Sequence, residues 1–142
     1  MATSAEPDVL VDTSAAVALC VGDHEHHAAV IAALTDARLG LAGHAAFETF
    51  SVLTRLPAPA RRAPAVVAQL LDDNFPESRY LSPDGARSLR RRLAGGEISG
   101  GAVYDGLVAA VAAEHGVRLA TLDRRALDTY RVVGADIHLI DP

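Results

Sequence analysis

Four acidic residues, Asp12, Glu48, Asp105 and Asp123, are scattered along the chain, yet each falls where an expected secondary-structure element can carry it to a shared edge. Carboxylates gathered in one cleft can hold Mg²⁺ or Mn²⁺, ions that prefer oxygen ligands in octahedral geometry and keep several waters. Such an ion polarises a phosphodiester, lowers the pKa of a bound water and stabilises charge on the leaving oxygen. Acids crowded together without a cation repel one another, so a cluster of them in one place implies a cation there. Each acid also has an ordinary structural reading. Asp12 can initiate a capping turn, Asp105 suits the positive end of a helix dipole, Glu48 can be a solvated side chain, and Asp123 can start a turn. An acid abutting a buried strand is costly unless it is paired or metal-bound, which favours a site role for Asp12. It is the combination that points to a metal site.

The elements that must position these acids follow from pattern. Val9 to Val11 is a short apolar run suited to a buried strand that ends at Asp12. Thr13 and Ser14 are candidate caps for a helix over Ala15 to Cys20, and Asp23 is a candidate cap for a helix reaching Thr35. A strand is expected around Leu41, then helices over Ala45 to Leu56, stopped by prolines, and Pro64 to Asn74. Tyr80–Leu81 reads as a strand, Ser82-Pro83-Asp84 as a helix start leading to Leu93, and residues 95–101 as a mobile glycine-rich loop. The clearest helix is Val103 to His115, closed by Gly116. Arg118 to Leu122 is a strand, Arg124 to Tyr130 a short helix, and Ile137 to Ile140 a last strand.

Strands alternating with helices predict one α/β domain over residues 1–142, a three-layer α/β/α sandwich on a mainly parallel sheet, with residues 1–7 as a loose tail. Ligands of such sheets bind beyond the carboxyl ends of the strands, where Asp12 and Asp123 fall. In an extended strand Thr121 and Asp123 point to the same side, so the two can serve one metal-bound water. Leu34, Phe47, Phe50, Val66, Leu70 and Leu107 are expected in the core, with Val52 and Leu56 beside the Glu48 face available to a partner.

Bulk composition narrows the function. The 142 residues carry a formal charge of −5, with 13 Lys+Arg positions that are all arginine. The acidic balance argues against a general nucleic-acid coating protein, and the lack of lysine excludes any mechanism that needs one. Cys20, the single cysteine, cannot form an internal disulfide, which suits a reducing cytoplasm. No run is long enough to span a membrane, and no signal-peptide pattern precedes the first apolar run, so a soluble cytoplasmic protein is expected.

In combination these segments resemble the PIN-domain family, and within it the VapC-type toxin ribonucleases of type II toxin–antitoxin pairs. The resemblance is carried by Leu10-Val11-Asp12-Thr13-Ser14-Ala15, by Ala46-Phe47-Glu48-Thr49-Phe50, by Val103-Tyr104-Asp105-Gly106-Leu107-Val108-Ala109-Ala110, and by Gly116 to Arg124. It implies a Mg²⁺- or Mn²⁺-dependent endoribonuclease that hydrolyses RNA through an activated water. Asp12 and Asp105 match the acids that contact the metal, Glu48 and Asp123 those that complete the site, and Thr13, Ser14 and Thr121 the supporting hydroxyls. It further implies a homodimer and a cognate antitoxin that blocks the acidic cleft, most simply with an inserted arginine. Gly106 departs from the pattern, where alanine is more usual after this aspartate. The stretch from Pro57 to Gly101 matches only in outline.

Other features are read against plainer roles. Arg124 and Arg125, beside Asp123, are the better candidates for holding an RNA phosphate; Arg61-Arg62 and Arg90-Arg91-Arg92 are expected on solvated faces. His24, His26 and His27 lack a second ligand pair at metal spacing and suit a surface helix start. A haloacid-dehalogenase-type phosphatase needs a second aspartate where Ser14 stands, and it and a receiver domain both need a lysine. The remaining competitor is a PIN-like scaffold that binds RNA or protein without cutting.

Overall fold

The computed structural model describes residues 5–142. Strand β1 (Val9–Val11) leads into helix α1 (Thr13–Cys20), then α2 (His27–Leu34) and β2 (Leu39–Leu41). Four helices follow, α3 (His44–Thr54), α4 (Pro64–Asn74), α5 (Pro83–Ala94) and α6 (Ala102–His115). The chain closes with β3 (Arg118–Thr121), a 3₁₀ turn at Arg124–Ala126, α7 (Leu127–Val133) and β4 (Ile137–Leu139).

The sheet order is β2-β1-β3-β4, with every pairing parallel. From β1 the chain crosses to β2 on one side, and from β3 it crosses to β4 on the other. The order therefore reverses between β1 and β3, and their carboxyl ends open the crevice in which ligands of such sheets bind. Alternation of side chains gives each face its own core. Val11 and Ala120 join α1, α2, α3 and α4 on one face, while Leu10 and Leu119 join α6 and α7 on the other. The three-layer α/β/α expectation holds.

Local signals mostly acted as read. Ser82 caps α5 by accepting the Gly85 N–H at 2.9 Å, and Gly116 ends α6 in the left-handed region at φ 63°. Several expectations need correction. Helix α2 starts at His27, not after Asp23, because His24 bends the intervening loop by accepting the His26 N–H on Nδ1 at 3.1 Å. Tyr80–Leu81 is not a strand. Its neighbours run along the β2 edge instead, through Glu77 N–H to Leu39 O at 3.1 Å and Arg79 N–H to Leu41 O at 3.2 Å. The Glu77 carbonyl comes so close to Gly40 that a β-carbon there would lie 2.0 Å from it.

The expected tail is pinned from Ala5 onward, since the Arg79 guanidinium donates to the Ala5 carbonyl at 2.9 Å and Arg38 Nε to that of Glu6 at 2.9 Å. Residues 1–4 lie outside the described residues. In the glycine-rich loop, Ile98 is buried against α6 and α7 and anchors the segment. Leu34 is buried as expected and Phe50, Leu70 and Leu107 half-buried, but Phe47 and Val66 are exposed. Arg61, Arg62 and Arg92 satisfy backbone carbonyls, with Arg92 closing the end of α7 through Val132 and Val133. Among the described residues no helix is long and apolar enough to cross a membrane.

Candidate active site

Asp12 is the fixed point of the site. It directly follows β1, is only 2% exposed, and is itself the N-cap of α1, a role expected of Thr13 or Ser14. Its carboxylate accepts four hydrogen bonds: from Ser14 Oγ at 2.6 Å and the Ala15 N–H at 3.0 Å on Oδ1, and from the Tyr130 hydroxyl at 2.8 Å and the Thr121 hydroxyl on Oδ2. These donors favour the charged form, but burial outweighs them and holds the carboxyl above its ordinary value. Orientation is thereby imposed from four directions. Thr121 reaches Asp12 because the β1–β3 register sets Val11 beside Ala120, with the Asp12 N–H donating to the Ala120 carbonyl at 3.1 Å.

Ser14 and Thr121 also couple Asp12 to Asp123. Ser14 Oγ accepts the Leu122 N–H at 3.0 Å, and Thr121 Oγ1 accepts the Asp123 N–H at 2.9 Å. The strand ends at Thr121, one residue earlier than expected, so Thr121 turns inward while Asp123 caps the 3₁₀ turn by accepting the Arg125 N–H at 3.0 Å. Asp123 thus caps the turn while its backbone N–H is tied to the hydroxyl that holds Asp12. On the α3 side, Glu48 accepts the Thr13 hydroxyl at 3.1 Å and pairs with His44 Nε2 at 3.0 Å.

Asp105 lies in the first turn of α6. Burial raises its carboxyl above the ordinary value, and so do the charges of Asp123, Glu48 and Asp12; Arg125 opposes them. All four acids thus share one electrostatic field at the carboxyl edge of β1 and β3. A groove of about 350 Å³ runs alongside, lined by Thr13, Ser14, His24, Leu122, Asp123 and Arg125 among others.

The two arginines part company. Arg125 lies against Asp123, Nε to Oδ1 3.4 Å, whereas Arg124 turns away to Asp141 at 2.9 Å. His27 is committed to the Ala18 carbonyl at 2.8 Å, tying α2 to α1. Burial pushes the Cys20 thiol up to about 11, which rules it out as a thiolate nucleophile at neutral pH.

The donor set suits a hard divalent cation: carboxylate oxygens whose negative charge Arg125 counters in part. Among the described residues, no three His, Cys, Asp or Glu side chains converge tightly enough to enclose an ion by themselves.

Sequence reasoning missed two residues. Tyr130, 2% exposed, donates to Asp12 from α7; burial and the neighbouring carboxylates push its phenol far above the ordinary value, so it remains a donor. Nothing in its spacing pointed to that contact. His44 did carry a signal, four residues before Glu48 on one helix face.

Comparison with known proteins agrees with this architecture. Residues 9–132 match the family model of the PIN domain. The chain belongs to the PIN-domain family. It is 49% identical over 132 residues to ribonuclease VapC27 of Mycobacterium tuberculosis, covering 93% of this chain and 96% of that protein. It is 43% identical over 131 residues to ribonuclease VapC40 of the same species, covering 91% and 96% respectively. The crystal structure of M. tuberculosis VapC20, described as a sarcin-ricin loop cleaving toxin, superposes with a TM-score of 0.66 over 89% of this chain and 95% of that one. At 19% identity that likeness bears on the PIN fold alone.

Proposed function

We propose that this PIN domain is a metal-dependent endoribonuclease, the toxin component of a toxin–antitoxin pair. The observation that carries the reading is the setting of Asp105 at the β1–β3 switch point, where burial above all, and then the charges of Asp123, Glu48 and Asp12, hold its carboxyl above the ordinary value. Similarity to ribonucleases over almost the whole chain supports it.

Asp12 and Asp105 would hold Mg²⁺ or Mn²⁺, with Glu48 and Asp123 completing the site directly or through water. The metal supplies an activated water and charge stabilisation on the phosphate. The chain's own contribution is positional. Ser14, Ala15, Thr121 and Tyr130 hold the Asp12 carboxylate in one orientation. Thr13 and His44 hold Glu48 from two sides. Arg125, steered by Asp123, offers a guanidinium at the edge of the groove for a substrate phosphate. The chain acts as one domain, in the cytoplasm, as a homodimer restrained by an antitoxin that places a cation among the same carboxylates.

Induced expression of the parent and of Asp12→Asn in a bacterial host tests this. The proposal expects growth arrest with RNA cleavage from the parent, neither from the variant, and relief by co-expression of the protein encoded beside it. Normal growth despite abundant folded parent protein would count against the toxin role.

A further inference from the structure

Aromatic rings are scarce in this chain, with three Phe, three Tyr and no Trp. Three of those six stand in solvent: Phe47 at 67% exposed, Tyr80 at 54% and Tyr104 at 52%. Phe47 and Tyr104 directly precede Glu48 and Asp105 in the chain, and Tyr80 meets Phe47. Tyr104 immediately precedes Asp105 on α6 and stacks on His44, with ring centroids 5.0 Å apart and planes 21° from parallel. His44 is pinned in turn by Glu48 at 3.0 Å. One turn further along α3, Phe47 leans on Tyr80 with centroids 6.4 Å apart. The helix therefore presents His44, Phe47 and Glu48 together, and the stacked pair bridges from Glu48 to the residue beside Asp105.

We propose that this aromatic ledge is the base-binding part of the RNA site: Tyr104, backed by His44, stacks an unpaired base next to the scissile phosphate, and the Phe47–Tyr80 pair receives a neighbouring base. The inference deepens the ribonuclease reading and rests on it. Stacking needs a flat ring, open on one face and held still on the other, which Tyr104 on His44 supplies. It also answers a shortage. A chain of net charge −5 gains less from phosphate neutralisation than a basic one, which leaves a larger share of RNA affinity to stacking. Bases stack on such rings only when unpaired, so the ledge selects loops or single strands over duplex.

The test uses the full chain in chelator with a single-stranded RNA oligonucleotide carrying 2-aminopurine, whose fluorescence falls on stacking. The parent is expected to quench it. Tyr104→Ala should weaken binding roughly 5- to 150-fold, the range spanned by loss of one base–aromatic stack. Phe47→Ala should weaken it less, and Tyr104→Phe should keep most of it. With Mg²⁺ restored, Tyr104→Ala should raise KM more than it lowers kcat. The rings are exposed, so circular dichroism should show the fold intact. If both alanine variants bind like a parent that cleaves RNA, the ledge is refuted and the ribonuclease reading stands. If they keep RNA affinity but lose self-association in sedimentation, the ledge is a protein interface instead. A parent that neither binds nor cleaves RNA overturns both.

Discussion

Replacing Asp105 by asparagine removes a negative charge that burial disfavours most and that Asp123, Glu48 and Asp12 repel, with Arg125 opposing them. The side chain is half-exposed, so each interaction is screened and belongs to the range of surface pairs, about 0.2–1 kcal/mol. Relief of the burial cost and of three repulsions, less one lost attraction, leaves a net gain on the order of 1 kcal/mol for the metal-free variant at neutral pH, or roughly 3 °C in Tm for a chain of this size.

The sign depends on pH. The folded carboxyl titrates above its ordinary value of 3.8, so the unfolded chain releases this proton first as pH rises. Stability of the parent therefore falls between the ordinary value and the folded one, and the penalty is complete above the latter. The gain from Asp105→Asn should vanish toward pH 3.8, reach its full size at neutrality, and shrink in high salt. Metal should invert the ranking. At about one hundred times its Kd a cation adds roughly 2.7 kcal/mol to the parent, and less to a variant that has lost a ligand. Thermal unfolding from pH 4 to 8, in chelator and in MnCl₂, reads all of this. An asparagine variant less stable than the parent in chelator at pH 7.5, or one that gains as much as the parent from metal, would refute the reasoning.

Tyr130→Phe removes one charge-assisted donor from Asp12, so it should cost about 1.5–3 kcal/mol and shift the acid limb of the cleavage profile to higher pH, as read by denaturant unfolding and a pH–rate series. Gly106→Ala should stabilise α6 by about 0.5–1 kcal/mol, because the added methyl would meet Ile98 at 3.8 Å and Val133 at 3.9 Å, ordinary contact distances; chemical denaturation checks it. Asp123→Ala should lower turnover about 10- to 100-fold while weakening metal binding less than Asp105→Ala does, and loss of its cap on the 3₁₀ turn should cost roughly 1 kcal/mol; cleavage per folded molecule and metal titration separate the two effects.

Much of the fold was legible because its signals are local. A run of three apolar residues ending in an acid, a Ser-Pro helix start at Ser82 and a glycine stop at Gly116 each say the same thing at every level. The acids were legible as members of a set, through their spacing and the family resemblance rather than one by one. What escaped depends on tertiary placement. Tyr130 matters only because the crossover from β3 to β4 lays α7 over the carboxyl edge, which no window of sequence reports. Phe47 was expected inside, yet α3 packs against α1 and α4 through Thr49 and Leu53, and the ring is left outside. The start of α2 was hidden by a side chain: the His24 ring satisfies a backbone N–H that a helix would otherwise have used.

As proposed, Asp12, Glu48, Asp105 and Asp123 would form one cation-dependent hydrolytic site for RNA. The most direct measurement is cleavage of a single-stranded RNA by metal-stripped protein, with Mg²⁺ or Mn²⁺ added back, for the parent and for Asp12→Asn and Asp105→Asn. Cleavage by the parent is expected to appear with metal and disappear in chelator, with none above background from either folded variant. Equal cleavage in chelator, or parental rates from either variant, would contradict it.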